Sequence, residues 1–402
     1  MNGPDTTNAP LNAPDGTPEV WITGMAWSTP LGTGLDDVWR SLLDGHGGIR
    51  PVPSAHPLRN DRAAVLPHLS LDKDPGERLH ILSRDTLAEA VADAGLDVTD
   101  PRLRTVFGTS YGPHLDDAGV TALDDWCAEV TRELGMPQAP VSLTTACSSG
   151  SDSLLVGAEL IGNGDAEICV CGAADVLTPA KRLGHSALGT MSPTSLRAFD
   201  EAHDGTILGE GAAFLVLESA RSATARGARP HGYLLGAGSA NDAVNTAAPD
   251  LSGDSVVRAV GRALLAAGRH AEDVAVVNAH GSGTPVNDLV ERSGYERVFS
   301  TAGSTATSPA TSPTVFATKG AFGHTLGATG ALEAVAVLLA LRDGVVPPIR
   351  GLTTVMPGFP LPLPMGGPAA FDGRVDRMER IGLSVTLGFG GFNTCLAFEG
   401  AR

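Results

Sequence analysis

Three observations predict an α/β fold with a doubled core. Apolar, strand-like runs alternate with segments of helical period along the chain, the pattern of parallel strands buried between helices. Four of these runs end in turns rich in glycine and small residues, and the reactive side chains gather at those turns. The order strand, turn, helix, strand, clearest from residue 141 onward, recurs in the second half. With 402 residues, 42% hydrophobic and 18% charged, the chain has the length for two or three units or for one large duplicated fold.

The elements follow in chain order. Residues 1–18, rich in Asn, Pro, Thr, Asp and Gly, lack both a basic and an apolar stretch and read as a flexible tail. Residues 19–24 read as a strand and 35–43 as a helix; 79–95 is amphipathic and stops at Gly95. A short strand is expected at 104–107, then a helix at 123–134 before the breakers Pro137 and Pro140. VSLTTA is a strand, Cys147 stands on the turn after it, SSGSDSLLVGAELI has helical spacing up to a GNG stop, and EICVCGAADV is the next strand. A hinge is expected at 219–230, giving an N-terminal half over 19–222 and a C-terminal half over 223–402. There VAVVNAH, VFATK and GLSVTLGF again end strands at small-residue turns, 331–341 is an apolar helix, and STAGSTATSPATSP (300–313) reads as a mobile surface loop.

Charge and cysteine usage exclude several functions. A net charge of −17 gives little of the basic face that phosphate neutralisation needs, so no nucleic-acid partner is expected. Lys73, Lys181 and Lys319 are the only lysines. Five cysteines without framework spacing, and no secretory leader, point to free thiols and a cytoplasmic location. No apolar run reaches about 18 residues, so no membrane span is expected, and no metal site is expected.

The four turns carry the chemistry. Cys147 lies between a strand and a helix start, where backbone N–H groups and the positive helix end can stabilise a thiolate. Cys169, Cys171 and Cys395 lie inside apolar strands and read as inert core. His280 precedes GSGTP, a turn open to a ligand. Lys319 and His324 share TKGAFGHTLGATG, and a lysine ending an apolar strand is costly to bury unless paired or functional. Glu333, alone in an apolar helix, is either a snorkelling carboxylate or a buried partner for Lys319 or a backbone N–H. In LGFGGFN, the Phe389 N–H can complete an oxyanion hole with that of Cys147.

A thiol, two imidazoles and an ammonium in such turns are the tools of covalent acyl transfer. The ordered motifs TTACSSG, NAHGSGTPVND, KGAFGHTLGATGALE and GFGGFN resemble those of the β-ketoacyl synthases, condensing enzymes of the thiolase-like fold. The likeness extends over residues 19–399, supported by VWITGMAWSTPLGTG and LRAFDEAHDGTILGEGAAFLVLE. The resemblance implies a layered αβαβα architecture of two duplicated halves and decarboxylative condensation of a Cys147-bound acyl group with a malonyl-type thioester, in fatty acid or polyketide-type synthesis. It implies that His280 and His324 support decarboxylation, that Lys319 with Glu333 orients the His324 region, and that Phe389 is both gate and oxyanion donor. Ser282 and Thr284 match positions that bind the phosphopantetheine arm. That arm comes from an acyl carrier protein, so no cofactor of the chain's own is implied, and a homodimer or a heterodimer with a ketosynthase-like subunit is. Two departures mark the acyl pocket: Leu387 and Phe392 stand where the family usually has Phe and Thr, and Phe392 is expected to narrow it. The stretch from Gly108 to Ala146 is shorter than the family pattern. Arg62, Lys73 and Arg78 are candidates for carrier docking.

Three alternatives compete. One is a transacylase that forms an ester or amide, which the retention of two histidines disfavours. Another is an inactive partner subunit, which the presence of Cys147 disfavours. The third is a serine hydrolase, since residues 108–112 spell G-x-S-x-G around Ser110, although PHLDDAG is a poor helix start behind it.

Overall fold

The computed structural model describes residues 19–110, 115–116, 122–299, 312–371 and 380–401. The tail at 1–18, most of the low-complexity loop (300–311) and Tyr111 and Gly112 of the G-x-S-x-G match lie outside the described residues.

The N-terminal half runs β1 (Val20–Ser28), α1 (Leu35–Leu43), β2 (Ile49–Pro51), β3 (Arg62–Ala64), α2 (Pro75–Asp93), β4 (Leu103–Gly108), α3 (Asp125–Glu133), β5 (Val141–Leu143), α4 (Ser149–Gly162), β6 (Ile168–Asp175), α5 (Pro179–Ala187) and β7 (Gly211–Ser219). After α6 (Ala220–Arg226) come β8 (Gly232–Asn241), α7 (Asp254–Ala267), β9 (Val274–Asn278), α8 (Pro285–Phe299), β10 (Thr314–Phe316), α9 (Lys319–Phe322), α10 (Thr329–Asp343), β11 (Val345–Val346), β12 (Ala369–Ala370), β13 (Ile381–Leu387) and β14 (Phe392–Gly400). The expected hinge is therefore largely a helix, α6, opened by the Ser219 side chain accepting from the Ser222 N–H and closed by Gly227 in the left-handed region.

Ten strands hydrogen-bond in the order β10-β9-β13-β14-β8-β1-β7-β6-β4-β5. Either side of the β8–β1 seam the connectivity repeats, so that β1, β4, β5, β6 and β7 correspond to β8, β9, β10, β13 and β14. The strands were expected to be parallel, but the sheet is mixed. The β4–β5, β4–β6, β9–β10 and β9–β13 pairs are parallel, whereas β6–β7, β7–β1, β13–β14 and β14–β8 are antiparallel. The reason lies in the connections: β13 reaches β14 through a tight turn that reverses direction, while helices carry the crossovers between parallel neighbours.

Helices α4 and α10 touch each other and strands of both halves, α2 covers β1, β6 and β7, and α7 covers β8 and β14. The layers are α, β, α, β, α. A helix at the centre must be apolar all round, and every residue of α10 from Thr329 to Leu341 is buried. Glycine permits the two central helices to meet. A Cβ on Gly330 would lie 2.6 Å from the Ser151 backbone nitrogen, and one on Gly150 would lie 2.7 Å from that of Ala331. This contact sets the start of α4, and hence the nucleophile turn, against the turn bearing His324.

Candidate active site

Cys147 sits in the short 3-10 turn between β5 and α4. Ala146 before it has φ 52°, a left-handed conformation costing an alanine about 1–2 kcal/mol. Neighbouring bonds hold that strain. The Ser149 hydroxyl accepts from the Thr145 N–H at 2.9 Å, and Asp152 accepts from the hydroxyls of Thr145 at 2.6 Å and Thr394 at 2.5 Å. The Ser148 hydroxyl donates to the Phe392 carbonyl at 2.6 Å, tying the nucleophile turn to the β13–β14 turn. Phe389 is thereby kept beside Cys147, where its N–H and the Lys319 charge favour a thiolate. Burial outweighs both. The thiol is pushed up to about 11, so the thiolate expected from the helix end is not the resting form.

Cys147, His280, His324, Ser282, Thr284, Leu387 and Phe389 all line one cavity of about 310 Å³. The two imidazoles meet edge to face, with centroids 5.1 Å apart and planes at 81°. Burial and the Lys319 charge hold both well below the ordinary histidine range, so both rings are neutral. The tautomer of His324 follows from its partners: the Leu326 N–H, which can only donate, points at Nδ1 from 3.2 Å, so the ring proton is assigned to Nε2. Thr329 also meets Nδ1 at 3.2 Å. The hydroxyls of Ser282 and Thr284 lie 3.0 Å apart on the same cavity.

Lys319 and Glu333 are both 1% exposed, and Lys319 Nζ donates to Glu333 Oε1 at 2.6 Å; the Thr318 hydroxyl adds a bond of 3.2 Å. The snorkelling alternative for Glu333 therefore fails. Burial raises its carboxyl to about 7 against the pull of Lys319.

Other expectations need correction. Phe392 does not line the cavity; its ring is 39% exposed and packs over the Gly390 turn, because the antiparallel alternation of β14 turns it away while its carbonyl receives Ser148. Leu387 does line it. Arg78 is buried and bonds both oxygens of Glu210 at 2.5 Å, so it cannot meet a carrier. Lys73 and Arg62 are exposed. The Ser110 hydroxyl and N–H both donate to Asp175, which leaves Ser110 a structural group and not a nucleophile.

Several site-supporting groups were not read from the sequence. Asp175 also accepts from the Gly327 N–H at 2.9 Å and pairs with Lys181, joining β4, β6 and the His324 turn. Glu291 accepts from the N–H groups of His280 and Gly281, both at 2.7 Å, and from Asn287 and Tyr295. Asp288 accepts from the N–H groups of Phe199 and Gly283 and from His203. The available signal was an acid ending an apolar strand and two acids one turn apart on the helix after GSGTP. His185 on α5, a further cavity residue, stacks on Phe389 with centroids 5.5 Å apart.

Among the described residues no helix is long and apolar enough to cross a membrane, and no cluster of three or more His, Cys, Asp or Glu side chains could hold a metal ion.

The family described as β-ketoacyl synthase matches through its N-terminal domain at residues 17–223 and its C-terminal domain at 231–353. The 3-oxoacyl-[acyl-carrier-protein] synthase 2 of Staphylococcus aureus (strain N315) is 30% identical, over 94% of this chain and 98% of the relative. A β-ketoacyl synthase from Burkholderia phymatum STM815 superposes with a TM-score of 0.83 at 28% identity, covering 96% of this chain and all of that one. The ishigamide ketosynthase/chain length factor superposes equally well, TM-score 0.83, at 29% identity and 96% and 99% coverage. From the matched domains and the extent of these likenesses, the chain belongs to the β-ketoacyl synthase family.

Proposed function

We propose that this protein is a β-ketoacyl-[acyl carrier protein] synthase in which Cys147, His280 and His324 carry the condensation. One observation carries the reading: the sulfur, both neutral imidazoles and Phe389 line a single cavity.

In the first half-reaction the Cys147 sulfur attacks the carbonyl of a carrier-bound acyl thioester, its thiol proton passing in net terms to the departing carrier sulfur. A new C–S bond forms, the carrier thiolate leaves and is protonated, and the N–H groups of Phe389 and Cys147 receive the transient oxyanion. In the second, a malonyl-type thioester loses CO2, and the electron pair of the broken C–C bond passes into an enolate. Neutral imidazoles suit this step, because a ring N–H can donate to the developing enolate oxygen without giving up its proton. The His324 Nε2–H is assigned as one such donor. The enolate carbon attacks the acyl-Cys147 carbonyl, forms the new C–C bond and expels the Cys147 thiolate.

Ser282 and Thr284 would bind the phosphopantetheine arm, whose entry is rimmed by Leu188 and Val286, cavity residues 58% and 38% exposed. The carrier supplies that arm, and a homodimer or a heterodimer with a ketosynthase-like subunit is the expected assembly. Lys319 with Glu333 acts as a positioning and charge-setting pair.

Intact-mass analysis after incubation with an acyl-carrier thioester tests the reading. The acyl mass should appear on the Cys147 peptide and vanish in Cys147→Ala. Subsequent malonyl-carrier should release CO2 and give a β-ketoacyl product only with both histidines intact, each His→Ala change costing about 100-fold or more. An adduct without CO2 release would indicate transacylation, and no adduct would refute the assignment.

A further inference from the structure

The cavity holds a third imidazole for which the condensation has no use. His185 lies near the end of α5, stacks nearly parallel on Phe389 (5.5 Å, 19°), and lines the cavity together with Cys147, His280 and His324. Its charge state would reach His324, since the two are close enough to interact electrostatically. Burial and the Lys181 charge push it down to about 4, so it is neutral at ordinary pH.

A neutral imidazole has one donor and one acceptor nitrogen, and the neighbours decide which is which. Nδ1 is 2.9 Å from the Thr190 hydroxyl, and that hydroxyl is also 3.2 Å from the His185 carbonyl, to which it can only donate. We assign the hydroxyl hydrogen to the carbonyl, so that the hydroxyl accepts from Nδ1–H. Nε2 then carries the lone pair, and no partner for it exists among the described residues. It is the one uncommitted polar atom of a ring packed beside the gate of the acyl pocket.

From this geometry we infer that His185 selects hydroxyl-bearing acyl groups, with Nε2 accepting a hydrogen bond from the acyl chain's O–H. The inference rests on the proposed acylation of Cys147 and names the substrate class that this site prefers. A saturated alkyl chain laid along the ring strips water from Nε2 and returns nothing, whereas a hydroxyl donor satisfies it. An unsatisfied buried acceptor weakens binding enough for a discrimination on the order of tenfold. The apolar side chains of Leu387 and Phe389 suit the rest of the chain.

The test measures acylation rates of Cys147 by intact mass with matched carrier thioesters: 3-hydroxybutanoyl against butanoyl, and 5-hydroxyhexanoyl against hexanoyl. At least one hydroxyl probe should exceed its alkyl partner by about tenfold in the native protein. His185→Phe, which keeps a ring against Phe389 and removes both nitrogens, should bring that ratio down to or below that of the probes' intrinsic reactivity. Thr190→Val, which leaves His185 in place and removes the group that fixes its tautomer, should lower the ratio as well and serves if His185→Phe does not fold. Equal rates within both pairs, or a hydroxyl advantage that survives both substitutions, overturns the inference while leaving acylation of Cys147 intact. No adduct from any probe overturns the underlying condensing reading and this inference with it.

Discussion

At the scale of single residues, the site is governed by desolvation opposed by a few directed groups. Burial drives the Cys147 thiol up to about 11, and the Phe389 N–H and the Lys319 charge pull it back only in part. Alkylation of Cys147 by iodoacetamide should therefore quicken about tenfold per pH unit through the range 7–10, because the thiolate is the reactive form. Lys319→Ala removes a nearby positive charge, so the thiol rises further and alkylation at pH 8 should slow several-fold, its pH profile displaced upward. An unchanged profile would show that Lys319 does not set the sulfur's electrostatics. Cys147, His280, His324 and Lys319 were legible in the sequence because each is a reactive side chain among small residues at the end of an apolar run. Phe392 was misread because a ring two places from a glycine turn can point either way, and only the β14 register decides. His185 was missed because its helix reads as surface, and its neighbour Phe389 is more than 200 positions away.

Among the elements, α4 and α10 decide the geometry of the site. Their first turns carry the groups next to Cys147 and His324, and they meet through Gly150 and Gly330 with no room for a side chain. Gly330→Ala would set a Cβ 2.0 Å from the Ser151 hydroxyl and 2.6 Å from its backbone nitrogen. The helices must then part, and we expect a loss of roughly 1–3 kcal/mol in urea unfolding, together with slower acylation of Cys147. Full stability with native acylation would show that the helices tolerate separation. Helical period alone comes close to two helices: 331–341 is expected where α10 runs Thr329–Asp343, and 35–43 where α1 runs Leu35–Leu43. For α2 the expected start at 79 misses the real first turn, where Asp74 caps the N–H groups of Gly76 and Glu77 and Pro75 opens the helix.

Across the whole molecule, buried ionic ties span the layers. Arg78 on α2 bonds both Glu210 oxygens, and Glu210 in turn accepts from the N–H groups of Leu66 and Leu177 at 2.8 and 3.0 Å. One pair thus fixes α2, the strand-free stretch after β3 and the segment leaving β6. Removing one member leaves the other charge buried alone, so Arg78→Met should cost about 3–5 kcal/mol in equilibrium unfolding. A loss under 1 kcal/mol would mean that Glu210 is neutralised or reached by water at little cost. The order of elements among the described residues also shows why a linear reading expected a hinge at 219–230. Polar composition marks a connection, and β1, paired with both β7 and β8, makes the sheet continuous across it.

By itself the sequence determined the alternation of strands and helices, the doubled plan, the four reactive turns and, through their order, the family. These depend on local propensity and on which residue types stand together, and both are written along the chain. Tertiary structure alone decided the protonation of the sulfur, the Lys319–Glu333 pairing, the supporting carboxylates Asp175, Glu291 and Asp288, and the presence of a third imidazole against Phe389. Each depends on how much water is excluded and on which distant group arrives in its place, quantities that exist only once the layers have packed.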